Sequence, residues 1–491
     1  MDKNNKYLYI GLFLVVLILV FGVMRVSMSS DNEKNVTTTS TTGTDTTETS
    51  TTEADTAGTS TTEADTTGTS TTETDTTGTS TTGANTTGTS MTGMNFTLFI
   101  YGNANGDTNI DQQDIDLIEQ IGAGKADQTL LADANLDGKV DSKDVEQVKA
   151  IIDGTATEMV VQDAYSNPVR VKTPVERIVS LDKMIAENAQ AIGVGDRIVG
   201  IDKDTASRSI ILPEISKVKN VGDAEEPDIE AIVALKPDII VQNQFFDEEL
   251  MNKMKEAGLT PLSMIYHGDI QNSLGYAKML GYLCRSPDSA NRYVDWMGNT
   301  LGEIHNKLAD LDEDERAKVI YLYPRKNGAL GSGGDECPTI KTLQFLGANT
   351  MTKNTKDTKG NIMDTASYFE IDPEVVIAKN PEVIVMEDFD VALGYGLTDK
   401  AVAQAELDKI KAMPGFDSID AVKNNKVYLV DVNIVSHSNC LGALYISKAL
   451  YPDQLTDMDP YEIHQKYVTN FLKLPNMDVK KDGLFIYPNI S

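Results

Sequence analysis

The chain of 491 residues carries 74 Asp and Glu against 43 Lys and Arg, a formal charge of -31. A field of that sign repels nucleic acid and anionic headgroups and attracts cations, which excludes a nucleic-acid partner. Its three cysteines, Cys284, Cys337 and Cys440, are too few and too far apart for a disulfide framework or an iron–sulfur cluster. Each is expected to be reduced and buried, with one long-range disulfide as the alternative.

Residues 1–30 open with Lys3 and Lys6 ahead of an apolar run from Tyr7 to Val23. The run is long enough to cross most of a hydrocarbon core as a helix, with its lysines on the cytoplasmic side. It predicts a transmembrane anchor, or a cleaved signal segment and a secreted form; either way the remainder is exported. Residues 31–94 form a Thr/Ser-rich stalk, in which 41–90 are five ten-residue units of the type TTEADTTGTS. Nothing there can build an apolar core, so the stalk is expected to stay extended. Dense Thr and Ser are O-glycan candidates, and Asn35, Asn85, Asn95 and Asn489 stand in N-glycosylation sequons, marking a glycoprotein. At about 3 Å per residue, such a stalk lifts a head by up to roughly 150 Å above a cell membrane.

Residues 98–155 contain two segments with one spacing. In the first, Asn103, Asn105, Asp107, Asn109, Asp111 and Asp114 occupy alternating positions and a final twelfth; in the second, Asp133, Asn135, Asp137, Lys139, Asp141 and Asp144 do. Ca²⁺ takes about six to eight oxygens, which such a loop supplies from side chains and the carbonyls of Asn109 and Lys139. Gly138 stands at the sharp turn of the second loop, where the first has Thr108. Each loop runs into an amphipathic helix, carrying Ile115, Ile118 and Ile121 or Val145, Val148, Ile151 and Ile152. This duplicated loop–helix pair resembles a dockerin, which implies structural Ca²⁺ and a possible cohesin-bearing surface partner.

From residue 160 short β-branched runs alternate with helical periods, the pattern of parallel sheet covered by helices. Residues 160–270 form a first α/β lobe, with strands at Arg177–Leu181, Ile198–Ile201 and Ile239–Val241. Residues 313–455 form a second, with strands at Lys318–Tyr323, Val383–Met386 and Val427–Val430. Between them 271–312 read as a long helical segment interrupted near Pro287, and 456–491 are an extension. The predicted fold class is α/β: two Rossmann-like lobes joined by a long helical segment, preceded by a small all-α dockerin-like pair and a transmembrane helix.

Two phrases repeat across the lobes: Pro227-Asp228-Ile229-Glu230 continuing to Lys236-Pro237-Asp238-Ile239-Ile240-Val241, and Ile371-Asp372-Pro373-Glu374 continuing to Asn380-Pro381-Glu382-Val383-Ile384-Val385. With Pro174-Val175-Glu176-Arg177-Ile178-Val179-Ser180, these resemble the ABC-transporter substrate-binding proteins for iron-siderophore, haem and cobalamin ligands, over about residues 163–453. The ends look like an archaeal, methanogen-type membrane-anchored form. The resemblance implies that Glu230 and Glu374 dock to arginine clusters on a permease driven by a cytoplasmic ATPase. It also implies capture of an iron or cobalt chelate rather than catalysis.

Ligands of open α/β sheets lie beyond the carboxyl ends of the strands. Those positions hold Asp182, Lys183, Met184, Phe245, Phe246, Tyr266 and His267 in the first lobe, and Tyr323, Arg325, Gly333, Glu387, Asp388, Ser436 and His437 in the second. Aromatic rings suit an apolar or planar ligand face, and Arg325 and His437 suit carboxylates or metal-bound oxygen. The GSGG loop around Gly333 lacks the lysine of a nucleotide-binding loop and reads as a pocket-edge turn. Two rival functions remain: a cell-surface assembly protein recruited through dockerin and cohesin, and a chelatase, which the lack of clustered Cys and His ligands disfavours.

Overall fold

The computed structural model describes residues 96–490 apart from 244–246, 265–269, 326–327, 358–359, 389–391 and 436–439. All of them belong to one compact unit, Thr86–Ser491. Among the described residues no helix is long and apolar enough to cross a membrane. The run from Tyr7 to Val23 and the stalk lie outside the described residues, so the expected transmembrane helix finds no support in the described fold.

The first elements are α1 (Gln112–Gly122) and α2 (Ser142–Ile152), each opened by a reciprocal capping box, Asp111 with Asp114 and Asp141 with Asp144. An antiparallel hairpin follows, β1 (Glu158–Gln162) and β2 (Pro168–Lys172), tied to the preceding chain by an Ile100–Val161 bridge. The helix pair is not a separate module. Ile100, Ile115, Ile118, Val145, Val148 and Ile151 share one continuous apolar core with the first lobe and the bridging helices. Phe99 stacks on Tyr276 at 5.3 Å, and Lys278 reaches back to donate to Asn109 Oδ1 at 2.8 Å. The expectation of an independent dockerin-like domain is corrected on that ground.

The first lobe comprises β3 (Ile178–Ser180), α3 (Lys183–Ala191), β4 (Ile198–Ile201), α4 (Lys203–Ala206), β5 (Lys219–Asn220), α5 (Ile229–Leu235), β6 (Ile239–Gln242), α6 (Glu248–Glu256) and β7 (Pro261–Ser263). Its five strands run parallel in the order β5-β4-β3-β6-β7. Side chains alternate across this sheet. Ile178, Ile239 and Val241 face the main core, whereas Val179 and Ile240 face a second layer with Ile232 and Met254.

The bridge is two helices, α7 (Ile270–Leu283) and α8 (Pro287–Leu308). Arg285, at φ 49°, ends the first in the left-handed region, and Pro287 starts the second, where its missing N–H costs nothing. At 22 residues α8 is about 33 Å long, enough to reach from one lobe to the other. Tyr293 on it donates to Asn188 of α3 at 2.9 Å.

The second lobe comprises β8 (Lys318–Pro324), β9 (Leu330–Ser332), α9 (Pro338–Phe345), β10 (Asn349–Thr350), β11 (Phe369–Ile371), α10 (Pro373–Lys379), β12 (Val383–Asp388), β13 (Gly394–Tyr395), α11 (Lys400–Lys411), α12 (Asp420–Lys423), β14 (Val427–Asp431), α13 (Val432–Val435) and α14 (Cys440–Leu450). The extension adds α15 (Pro460–Asn470), β15 (Gly483–Leu484) and β16 (Ile486–Tyr487). The sheet order is β11-β9-β8-β12-β14-β16, with β10 also on β8; β8, β12 and β14 are parallel and β16 is antiparallel to β14. Val319, Tyr321, Val383 and Val385 face the core shared with the bridge, while Ile320, Leu322, Ile384 and Met386 face a separate layer. In this lobe α14 packs along α8.

Candidate functional site

The carboxyl ends of the parallel strands carry the polar residues of both lobes. In the first lobe Asp182 follows β3 and caps α3, accepting from the N–H groups of Met184 at 2.8 Å and Ile185 at 3.1 Å. Its other oxygen accepts from Asn243, just after β6, at 2.9 Å. Asp202 caps α4 in the same way; burial raises its carboxyl, while hydrogen bonds from Thr205 oppose the rise. Met184 is only 2 % exposed and presents no open surface to a ligand. Phe245, Phe246, Tyr266, His267, Ser436 and His437 lie outside the described residues.

In the second lobe the period of two in β8 puts Tyr321 and Tyr323 on one face, with rings stacked at 5.9 Å. Tyr321 donates to Glu387 Oε2 at 2.7 Å, and the Thr339 hydroxyl donates to the other carboxylate oxygen. Glu387 is buried, and that burial raises its carboxyl despite both hydrogen bonds. Glu387 is therefore enclosed by Tyr321 and Thr339 instead of standing open at a surface. Half-buried Tyr323 accepts from Arg325 Nη1 at 3.2 Å, and Arg325 Nε lies 3.7 Å from Glu370. Tyr368, 44 % exposed, meets Tyr323 edge-on at 5.6 Å and extends the aromatic rim.

The glycine-rich loop is a close crossing and not an anion cradle. A Cβ at Gly331 would fall within the Tyr323 ring, one at Gly333 would collide with Cys337, and one at Gly334 with the carbonyls of Met363 and Asp364. The Gly334 N–H is already bonded to the Ala366 carbonyl at 2.9 Å.

The lobes touch at the cleft and again behind it. Lys183 of α3 donates to Asn433 Oδ1, just past β14, at 2.9 Å. The Asn433 side-chain amide in turn donates to Asp431 at 3.0 Å. Deeper, Tyr467 of α15 donates to buried Glu187 of α3 at 2.6 Å, and Arg208 lies 3.6 Å from the other Glu187 oxygen. The loop after α4, the turn after β13 and the extension enclose a groove of about 700 Å³, lined by Ile210, Pro213, Thr398, Leu474 and Asn476.

Among the described residues no group of three or more His, Cys, Asp or Glu side chains is arranged to hold a metal ion. Both acidic loops bond largely to their own backbone, while Asn103 Oδ1 and Asn135 Oδ1 are buried without a hydrogen-bond partner among the described residues. Asp114 accepts from Asn105 at 3.1 Å and Asp111 at 2.9 Å, and Asp144 from Asn135 at 3.1 Å and Asp141 at 2.8 Å. Asp133 accepts from Asp137 and Gly138, and Lys143 lies 3.1 Å from Asp137. Burial raises Asp114 to about 6, and the Lys278 ammonium already stands at the first loop. The expected structural Ca²⁺ at Asn103 to Asp114 and Asp133 to Asp144, and the cohesin partner it implied, find no support.

Glu230 and Glu374 are both exposed, each in the first turn of an equivalent short helix. Asp228 and Asp372 cap those helices, and Lys236 and Asn380 end them in the left-handed conformation. The strand-end rule found Lys183 but passed over Asn243, Tyr321, Thr339, Tyr368 and Asn433. Of these, Tyr321 carried a signal, since it precedes Tyr323 by the two residues that put both on one strand face.

Two α/β lobes, a helix spanning them and a polar cleft at their strand ends define a substrate-binding protein of the ABC-importer type. The model of the family described as periplasmic binding protein matches residues 178–433, and the chain belongs to that family. It is 25 % identical over 297 residues to an uncharacterized ABC transporter substrate-binding lipoprotein, YvrC, of Bacillus subtilis, covering 59 % of this chain and 84 % of the relative. It is 23 % identical to a cobalamin-binding protein of Halobacterium salinarum, covering 45 % of this chain and 56 % of the relative. Molybdate-binding protein MolA of Haemophilus influenzae is 20 % identical over 62 % of this chain and 88 % of its own length.

Among solved structures, a TroA-like periplasmic binding protein, FepB, from Veillonella parvula superposes with a TM-score of 0.54 at 18 % identity, over 67 % of this chain and 98 % of that one. Membership of the family makes the role one of binding and transport, without catalysis, alongside a cognate permease and ATPase. Relatives in Bacillus and Haemophilus match alongside the Halobacterium protein, so the archaeal assignment is withdrawn. The fold is that of an extracytoplasmic binding protein, and the expected membrane-anchored localisation, which rests on residues outside the described ones, finds no support in it.

Proposed function

We propose that the cleft captures an iron or cobalt chelate, a ferric siderophore, haem or corrinoid, and that Glu230 and Glu374 present the loaded protein to the permease. The observation that carries the docking half is the pair of exposed glutamates, one on each lobe, at matching positions of matching capped helices. Two equivalent acids suit two equivalent arginine patches on a dimeric permease.

A chelate is favoured over a bare oxyanion because acids outnumber bases at the described strand ends. Asp182, Asp202, Glu387, Asp388 and Asp431 stand against Lys183 and Arg325. The names of relatives that bind cobalamin and iron(3+)-hydroxamate point the same way. The Tyr323 and Tyr368 rings provide an apolar face of the kind a macrocycle or hydroxamate chelate covers.

Binding of cyanocobalamin, ferric haem and ferrichrome to the full chain is measured by native mass spectrometry, and uptake is measured with the cognate permease. Glu230→Arg combined with Glu374→Arg is expected to abolish uptake while leaving chelate affinity within about twofold. Equal loss of affinity and uptake would sink the docking assignment, and failure of all three chelates to bind would sink the ligand class.

A further inference from the structure

We infer that Lys183 is the ligand-facing cation of the first lobe and that its bond to Asn433 is a placeholder, exchanged for an anionic oxygen of the bound chelate, a carboxylate or a phosphate. The inference rests on the proposed function above and names a chemical requirement of that same cleft. Lys183 lies directly after β3 and Asn433 directly after β14, and their side chains meet at 2.9 Å across the gap between the lobes. Neither is a random surface contact: Lys183 is half-buried and Asn433 is 3 % exposed.

Two features set this lysine apart. It occupies the first position of α3, where the helix dipole disfavours a positive charge, so local helix energetics do not account for it. Among the described residues, moreover, its partner is a neutral amide oxygen and not a carboxylate. Asp182 beside it is already engaged by the N–H groups of Met184 and Ile185 and by Asn243. Asp431 is engaged by the Asn433 backbone and side chain.

An ammonium held by an amide in a cleft rich in acids retains its demand for an anion. A charge-assisted bond to a ligand oxygen is stronger than the neutral one it replaces. A ligand bearing such an oxygen also satisfies the lysine without separating the lobes, since the bond it displaces is the one that already spans them. Asn433 keeps its amide donor on Asp431 throughout, so the exchange leaves the second-lobe side of the cleft in place.

The test compares matched probes on the full chain: ferric haem against its dimethyl ester, and cyanocobalamin against dicyanocobinamide, which lacks the phosphate. Wild type is expected to prefer the member that carries the anionic oxygen, the propionates or the phosphate, over the member neutral at that position, in whichever pair it binds. Lys183→Met is expected to weaken that member about 10- to 100-fold, the range for one hydrogen bond to a charged group, while leaving the neutral member unchanged. Lys183→Arg is expected to restore most of the preference. Unchanged affinity for the neutral probe also shows that the variant is folded. Lys183→Met that retains the wild-type preference, or wild type that binds ferrichrome but neither pair, overturns the inference alone; wild type that binds neither the pairs nor ferrichrome overturns the reading on which it rests.

Discussion

His464 gives the sharpest quantitative test of the packing. The ring is fully buried on α15, with Tyr395 at 2.6 Å from Nε2 and Tyr445 at 3.1 Å from Nδ1. Phe485 lies edge-on to it, with ring centroids 4.4 Å apart. A neutral imidazole has one donor and one acceptor nitrogen, and two hydroxyls serve both, so the ring is satisfied only without the second proton. Burial lowers its pKa from 6.5 to about 3. Below pH 6.5 the unfolded chain takes up a proton that the folded chain refuses, so stability falls as pH falls, and the loss levels off near pH 3. The whole shift is worth about 5 kcal/mol, and the interval from pH 6.5 to 4.5 about 2 kcal/mol of it, because the unfolded ring is already half protonated at pH 6.5.

Urea unfolding followed through Trp296, the single tryptophan, reads this region directly, because Trp296 stacks on Tyr467 of the same helix at 5.8 Å. His464→Gln keeps one donor and one acceptor but does not titrate. The stability difference between wild type and His464→Gln should shift by about 2 kcal/mol against wild type between pH 6.5 and 4.5. Parallel pH profiles for the two proteins over that interval would refute the burial argument.

Removing the carboxylate of Glu187, 6 % exposed, by Glu187→Ala leaves Arg208 and Tyr467 buried around a missing partner; a loss of about 3–5 kcal/mol in urea unfolding is expected. Gly331→Ala pushes the Tyr323 ring off the backbone, at a cost of about 1–3 kcal/mol in thermal or urea unfolding, together with weaker chelate binding. Arg325→Ala should change stability by under about 1 kcal/mol, because its ion pair with Glu370 is more than a third exposed on both sides. Any larger effect of that variant belongs in ligand affinity. Burial pushes the Cys284 and Cys337 thiols up to about 12 and raises Cys440 as well, so native protein at pH 8 should resist iodoacetamide while urea-unfolded protein takes up three equivalents.

The two-lobed α/β architecture was legible because its signals are local. The repeated Asp-x-Glu or Asp-Pro-Glu helix start, the left-handed stop at Lys236 or Asn380 and the following β-branched strand recur in each lobe and fold alike. The β1–β2 hairpin was not anticipated, since Met159, Val160 and Val161 form an apolar run without the alternation that marks a half-buried strand. The loops before α1 and α2 were ambiguous for a related reason. A ring of oxygens at alternating positions suits a cation, but the same Asp and Asn pattern also makes capping boxes and closed turns, and only coordinates show where the oxygens point. At the cleft, the strand-end rule put Glu387 among surface contacts, whereas its carboxylate is enclosed by Tyr321 and Thr339. Lys183 and Asn433 are 250 positions apart, a pairing that no local pattern encodes.

The C-terminal extension lies beyond the 178–433 family match and changes what the cleft can do. Its strand β16 joins the second-lobe sheet at β14, while Tyr467 and the Leu472 carbonyl are bonded to Glu187 and Gln190 of the first lobe. Tyr467 also lies in the aromatic cluster with Tyr293 and Trp296 of α8. One segment therefore holds both lobes and the bridging helix. Opening the cleft by rotation about α8 would have to break the buried Glu187 contacts or detach β16, and either costs several kcal/mol. Exchange of the single Lys183–Asn433 bond costs far less. Ligand entry is thus expected to proceed by replacing contacts at the cleft mouth while the back stays closed. Small-angle scattering and amide exchange at α15 should change little when a chelate binds, and loss of protection across Tyr467 to Leu472 on binding would contradict the clamp.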